Sequence, residues 1–299
     1  MMLMLKALAL ALLTATVVAK PLRPSLVSPS RVQRRDPPAP SSYPLADACV
    51  HEWQYLNFDT SNTNDAAHLQ TLHNVICSGE MRAISSYGSG SATDGNRVYQ
   101  RYFALNDDDD DNQGNVASAL NLIVGTSSTD GAIGEVVGTF IVDNLDFAGT
   151  CATEGTLAYT NTDTLDDREK IHFCDIAWDR PNGDTRAGQC GDFDPYPSDK
   201  IDTFSRVALH EMMHYSSVGP ASALGEQIVD VNNADGVPAY DPPRVHGLID
   251  ENQDDQPGLA EINADSYAWM SLDAWISRIC AADPTMYDQF FTQNPPNYD

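Results

Sequence analysis

The sequence predicts an α+β fold from three stretches of the chain. Apolar residues at Leu69, Leu72 and Ile76 recur at helical spacing and predict a helix that begins at Asn64 or Asp65. Short runs rich in β-branched and aromatic residues follow, and helical spacing returns towards the C-terminal end. Helices at both ends with strands between them indicate α+β rather than alternating α and β elements.

The predicted strands lie between residues 97 and 178 and form a short mixed sheet. They cover residues 97–103, 120–124, 135–142 and 171–174, and Gly, Asn and Asp turns separate them.

The most informative stretch is a predicted helix over residues 201–217. Apolar side chains surround its axis almost completely, and Gly219-Pro220 ends it, so we expect a buried helix. Asp202 or Ser198 is the predicted N-cap.

Within this helix, the segment His210-Glu211-Met212-Met213-His214 places two imidazoles one turn apart. Residues four apart lie on nearly the same face of a helix, so both imidazoles can bind one ion. Glu211 lies about 100° around the axis, where it is badly placed to ligate the ion and well placed to take a proton from water. Because such groups are costly to bury without partners, the segment predicts a Zn²⁺ site with Glu211 as general base.

A catalytic zinc site needs a third protein ligand, and the last predicted helix, residues 259–280, offers two carboxylates. Asp265 lies at the centre of the inward apolar face, where a carboxylate demands a strong partner. Glu261, one turn earlier, is the alternative ligand. If Glu261 binds the metal, Asp265 would instead steady a ligating histidine. The residues alone leave both arrangements open.

The N-terminal end predicts a secreted protein. Residues 1–19 combine one lysine, an apolar run and small residues at the cleavage position, as in a signal peptide. Residues 20–44 are rich in Pro, Ser and Arg and form either a pro-segment cut after Arg35 or a disordered linker. Residues 45–299 are of single-domain size, and no later stretch is apolar enough to span a membrane.

Charge narrows the classes of partner. The chain has 43 acidic and 17 basic residues, for a formal net charge of −26. Such a surface repels nucleic acid and anionic membranes and favours basic polypeptides, although it equally serves solubility. We expect a monomer.

Six cysteines follow the signal segment, and an even number in a secreted chain indicates disulfides. The preferred pairs are Cys151 with Cys174 and Cys49 with Cys77. A zinc site made of cysteines is the weaker interpretation, because no Cys-x-x-Cys pair exists.

Two segments resemble a known family. The His210–His214 segment, followed by the Asn-Ala-Asp-Ser-Tyr-Ala-Trp segment that begins at Asn263, is similar to the fungal deuterolysin family and its relatives. These are secreted aspzincin metallopeptidases that include lysine-specific metalloendopeptidases. The similarity covers residues 151–280 and implies a zincin-like metallopeptidase domain.

The resemblance also implies roles for individual residues. It makes Asp265 the third zinc ligand beside His210 and His214, and Tyr240 the phenol that stabilises the oxyanion. The family has a Gly-Thr-x-Asp segment leading to a Tyr-Gly pair, whereas residues 235–241 keep the tyrosine without that segment. His246 and Tyr267 are alternatives for the phenol's role.

The expected function is that of a secreted zinc metalloendopeptidase that hydrolyses proteins or peptides, with a preference for basic substrates. The alternative is a catalytically weak or inactive secreted zinc-binding scavenger, which needs metal ligands only. Some relatives carry arginine in place of the catalytic glutamate. This chain keeps Glu211, which favours hydrolysis.

Overall fold

The computed structural model describes residues 54–76, 79–103, 110–124, 140–251 and 258–296, which all belong to one unit, Pro38–Asp299. These residues form a mixed α+β fold that is about half helical, with a small mixed sheet, as predicted. The predicted signal peptide, residues 20–44, Cys49 and Cys77 lie outside the described residues.

The described chain contains eight α-helices and four strands. The helices are α1 (Thr63–Ile76), α2 (Glu80–Asp94), α3 (Arg97–Gln100), α4 (Asp110–Val124), α5 (Gly183–Ala187), α6 (Phe204–Met213), α7 (Pro242–Gly247) and α8 (Ala264–Cys280). The strands are β1 (Gln54–Leu56), β2 (Ile141–Asp143), β3 (Ala158–Asp163) and β4 (Arg168–Phe173).

The sheet has the strand order β1-β2-β4-β3. β1 and β4 pair with β2 in parallel, and β3 pairs with β4 antiparallel, with Thr160 opposite Ile171. β3 is therefore an edge strand of the described sheet. The strand prediction for residues 171–174 is confirmed by β4. That for 135–142 overlaps β2, and residues 135–139 lie outside the described part.

Two of the predicted strands are wrong, because residues 97–100 and 120–124 lie in helices and residues 101–103 form a turn. The Asn96 side chain accepts hydrogen bonds from the backbone N–H groups of Val98 and Tyr99, which caps α3. In α4, Val116, Leu120 and Ile123 are completely buried and recur at helical spacing. Packing of this face against the core outweighs the β-propensity of the individual side chains.

The helix carrying the two histidines is buried, as predicted, but shorter than expected. α6 begins after Thr203, whose side chain accepts a hydrogen bond from the Arg206 N–H, so the predicted caps Asp202 and Ser198 are wrong. Every residue from Phe204 to Met213 is buried. α6 packs against α8, and α8 packs against α2, so the site-bearing helices form the centre of the core.

The disulfide Cys151–Cys174 is confirmed, and it links the turn before β3 to the residue after β4. A second disulfide, Cys190–Cys280, links a short 3₁₀ turn to the end of α8. Among the described residues, no helix combines the length and apolar character that crossing a membrane requires.

Candidate metal centre

Three side-chain atoms converge at the C-terminal end of α6. His210 Nε2 and His214 Nε2 lie 3.1 Å apart. Asp230 Oδ1, from the connection after α6, lies 3.2 Å from the former and 3.3 Å from the latter. These three residues form a group that could hold a metal ion.

The spacing of this triangle is compatible with tetrahedral metal coordination. A tetrahedral site with bonds of about 2.0–2.1 Å separates its ligand atoms by roughly 3.3–3.4 Å. The three observed separations, 3.1, 3.2 and 3.3 Å, are close to these edges. The three atoms are therefore spaced as one face of a coordination tetrahedron would require.

The hydrogen bonds of the two rings point to the same conclusion. His214 Nδ1 lies 3.1 Å from the carbonyl oxygen of Ile228, and His210 Nδ1 lies 2.9 Å from Asp265 Oδ1. Carbonyl and carboxylate oxygens accept, so both Nδ1 atoms donate and both Nε2 lone pairs face Asp230. Two lone pairs and a carboxylate oxygen at such distances repel one another unless a cation lies between them.

The electrostatics of the group agree with this arrangement. Burial would lower the pKa of His210, but Asp265 and Asp230 outweigh it and raise that pKa well above its ordinary value. Burial would raise the pKa of Asp230, but His210 and His214, when protonated, hold that pKa far below its usual range. The site favours a positive charge between its ligands.

The expected third ligand, Asp265, does not join this group. Its side chain is completely buried on α8 and contacts the far nitrogen of His210, Nδ1, at 2.9 Å. Its position matches the other role predicted for it, which is to steady the ring of His210. Glu261 is also buried and is absent from the metal-binding groups found among the described residues.

Asp230 is the site residue that the sequence analysis missed. It lies between apolar Val229 and Val231, in the connection between the two segments that resemble the family and ahead of residues 235–241. An aspartate between apolar residues was the available signal. Its final position depends on long-range contacts that no local pattern reports.

Glu211 lies beside the three candidate metal ligands without joining them. Its Oε1 is 4.0 Å from His210 Nε2, and its Oε2 accepts a hydrogen bond of 2.7 Å from Thr160 Oγ1 on β3. Burial raises the pKa of Glu211, although His210, His214 and Thr160 oppose the shift. The carboxylate is thus held close to the ligands with an elevated proton affinity.

Tyr240 reaches the same site from the segment before α7. Its ring centroid lies 6.0 Å from that of His210, and its side chain is 47% exposed. Burial raises its pKa, and the charge of Asp230 and a hydrogen bond to that carboxylate add to the shift. Its hydroxyl therefore remains a proton donor at neutral pH.

The two alternatives to Tyr240 point elsewhere. His246 Nδ1 lies 2.7 Å from the carbonyl oxygen of Arg101, and the Tyr267 hydroxyl donates to the carbonyl oxygen of Glu261 at 2.7 Å. Neither lines the cavity above the metal ligands.

That cavity has a volume of about 670 Å³. The loop before β3 and the strand itself form one wall, and α6 and the connection around Asp230 form the other. His210, Glu211, His214 and Tyr240 all face it, so a molecule in the cavity could reach the base and the ligands together.

A second group with metal-binding geometry consists of Cys151, His172 and Cys174. Both sulfurs are bonded to each other in the Cys151–Cys174 disulfide, so they are not thiolates. This group is a structural cross-link with a neighbouring histidine.

Comparisons with family models, with curated proteins and with solved structures found no match for this chain. The likeness of the two segments to deuterolysin-type peptidases therefore stays a prediction.

Proposed function

We propose that this protein is a secreted, zinc-dependent endopeptidase with a zincin-like fold. The observation that carries the proposal is the convergence of two Nε2 atoms and one carboxylate oxygen, with the Glu211 carboxylate 4.0 Å from His210 Nε2, at one open cavity. A scavenger needs the ligands, whereas hydrolysis also needs a base at this distance. The resemblance to deuterolysin-type peptidases agrees with it.

His210, His214 and Asp230 would hold Zn²⁺, with a fourth position facing the cavity. When bound there, the ion would act as a Lewis acid and lower the pKa of a water molecule.

Glu211 would act as general base on the attacking water. Its Oε2 is occupied by the Thr160 hydroxyl, so Oε1, which faces His210, is the oxygen that accepts the proton. The raised pKa of Glu211 brings its proton affinity closer to neutral pH. The same carboxyl group would then pass the proton to the departing amine.

Tyr240 would donate a hydrogen bond to the oxyanion that forms at the attacked carbonyl. Its backbone carbonyl accepts from Trp269 Nε1 at 3.2 Å, which fixes the chain where the ring enters the site. Its raised pKa keeps the donor proton on the phenol.

The substrate class that fits is a polypeptide, with basic segments preferred. The net charge of −26 attracts basic chains, and Glu154 adds an acidic side chain to the cavity wall.

The test compares Glu211→Gln with wild type in zinc content and in cleavage of casein and histone, with and without a chelator. Glutamine preserves the shape but accepts no proton, so we expect zinc to stay bound and cleavage to fall by at least about a hundredfold.

The matched control is Glu169→Gln. This glutamate accepts hydrogen bonds from Ser216, just after α6, and does not line the cavity. It should keep wild-type activity. Retained cleavage in Glu211→Gln would contradict the role of the base. Tight zinc binding by wild type with no cleavage of either substrate would support the scavenger instead.

A further inference from the structure

Arg206 lies one helical turn before His210 on α6, and its side chain is buried. Its Nε and Nη2 atoms donate to the two carboxylate oxygens of Asp202, at 2.8 and 3.1 Å. Its guanidinium carbon lies 4.7 Å from the ring centroid of Trp269. The bidentate ion pair with Asp202 and the ring of Trp269 against its face hold the guanidinium in one orientation.

The third nitrogen of this guanidinium, Nη1, is connected to the candidate metal centre through Asp265. Arg206 Nη1 donates to Asp265 Oδ1 at 3.0 Å, and the same oxygen accepts from His210 Nδ1 at 2.9 Å. The other oxygen, Oδ2, is buried and has no hydrogen-bond partner in the described structure. One oxygen of Asp265 thus carries both contacts, and its position sets the orientation of the His210 ring.

We propose that Arg206 is a positioning residue of the metal centre. It anchors Asp265, a residue of α8, so that Asp265 holds the proton on His210 Nδ1 and directs Nε2 towards His214 and Asp230. Arg206 contacts neither the metal nor the substrate. The proposal rests on the proposed binding of a divalent cation by these residues and does not depend on peptide cleavage.

The first measurement is the zinc dissociation constant, obtained by competition with a coloured chelator. Arg206→Lys removes the two-pronged contact, because an ammonium group cannot match both Asp202 and Asp265. Asp265→Asn keeps the shape of the side chain but removes its charge. Loss of such outer contacts weakens metal affinity about 10–100-fold, and we expect this change in both variants.

The matched control is Arg180→Lys. Arg180 lies 3.4 Å from the same carboxylate, Asp202, but its side chain is 36% exposed, and no contact with Asp265 is found among the described residues. Its zinc affinity should change by less than about threefold. A larger effect in Arg206→Lys than in Arg180→Lys assigns the effect to the contact with Asp265.

The second measurement separates positioning from general stability. In the zinc-loaded protein, ¹H–¹⁵N NMR should show slowly exchanging Nδ1–H protons on His210 and His214, because both donate to protein oxygens. Arg206→Lys should shift or broaden the His210 signal and leave that of His214, which is bonded to the carbonyl of Ile228, unchanged. A merely structural role would alter both signals together.

The proposal is overturned if zinc affinity in the folded Arg206→Lys and Asp265→Asn proteins stays within about threefold of wild type. It is also overturned if the wild-type zinc form lacks a proton on His210 Nδ1, a result that requires no variant to fold. Cleavage assays on the same preparations test the peptidase separately. Absent cleavage with the expected affinity changes would refute the peptidase and support the role of Arg206.

Discussion

The identity of the third ligand gives the sharpest prediction, and Asp230→Ala tests it. The Asp230 carboxylate oxygen lies 3.2 and 3.3 Å from the two histidine nitrogens, whereas Asp265 reaches only the far side of His210. Removal of Asp230 therefore takes away one of the three proposed ligands. Removal of Asp265 leaves all three in place.

The magnitude follows from the geometry. Two unit charges 4 Å apart attract each other by about 1 kcal/mol in water. A divalent ion doubles the charge, and a distance of about 2 Å to the carboxylate oxygen doubles the energy again, so the attraction is about 4 kcal/mol. The dielectric constant of bulk water is the cautious choice, because the Asp230 side chain is 43% exposed. This energy corresponds to about a thousandfold in affinity. Asp265→Ala should cost only about 10–100-fold.

The assay measures zinc dissociation constants for Asp230→Ala, Asp265→Ala and a control, Asp235→Ala. Asp235 is an exposed residue of the same connection and does not line the cavity, so its variant removes an equal charge away from the site. We expect losses in the order Asp230, then Asp265, then Asp235. A larger loss in Asp265→Ala than in Asp230→Ala would refute the assignment and restore the expectation from sequence.

Two further predictions concern β3 and the hairpin that it forms with β4. Thr160→Val removes a 2.7 Å hydrogen bond to the carboxylate of Glu211, so kcat should fall about 10–100-fold with KM little changed, and Thr160→Ser should restore it. Lys170 Nζ is buried between 2.6 and 3.7 Å from three aspartates, so Lys170→Met should lower the free energy of unfolding by about 3–5 kcal/mol in urea titrations. Arg168→Met, at a more exposed site, should cost less than about 1 kcal/mol. Burial would raise the pKa of Asp166, but hydrogen bonds from Lys170 and Arg168 lower it below 3.8. The ionised Asp166 therefore stabilises the folded protein above pH 3.8, and this stabilisation is lost as the pH falls through the lower pKa of the folded state. An unfolding free energy unchanged in Lys170→Met, or one independent of pH in this acid range, would contradict these expectations.

The parts of the site that lie on one helix could be predicted from the sequence. The spacing of His210 and His214 and the apolar surroundings of α6 are local properties, and the structure shows the buried helix that they predict. The position of Asp265 on the inward face of α8 also follows from helical spacing alone, and the residue is completely buried. Helical spacing does not reveal which nitrogen of the His210 ring the carboxylate contacts, so it cannot tell a metal ligand from a residue that orients the ring.

The position of Asp230 could not be predicted in this way, because contacts distant in sequence create it. The Val229 N–H donates to the carbonyl of Ile262, and the Ala264 N–H donates back to the carbonyl of Val229, at 2.8 and 3.0 Å. These bonds form an isolated parallel bridge between Val229 and Asn263. The connection is thereby fixed to the start of α8, and Asp230 follows at once. A residue that is positioned by an isolated bridge between distant segments leaves no periodic pattern in the sequence.

The same contrast explains the wrong strands. Residues 97–103 and 120–124 are rich in side chains that favour strands, but their burial follows the period of a helix once α2 and α8 are present to cover them. β-propensity reports fit to a partly buried surface, and either element can supply that surface. The elements that pack against a segment decide whether it forms a helix or a strand, and the composition of the segment does not reveal those elements.

A polar stripe along α6 connects the fold to the proposed chemistry. Arg206 and His210 lie four residues apart on α6, and Asp202, just before the N-cap, and His214, the C-cap residue, continue the same spacing at its two ends. Burying such a line is costly unless each member is satisfied. Asp202 and Arg206 satisfy each other, Asp265 takes the next contact, and both rings donate through Nδ1. The polar atoms left over are the two Nε2 atoms at the cavity end, where Asp230 supplies a negative charge. The folded core thus gathers at one end the atoms that a divalent cation would bind, which is why the metal centre and the packing of α6 against α8 should respond together to the same substitutions.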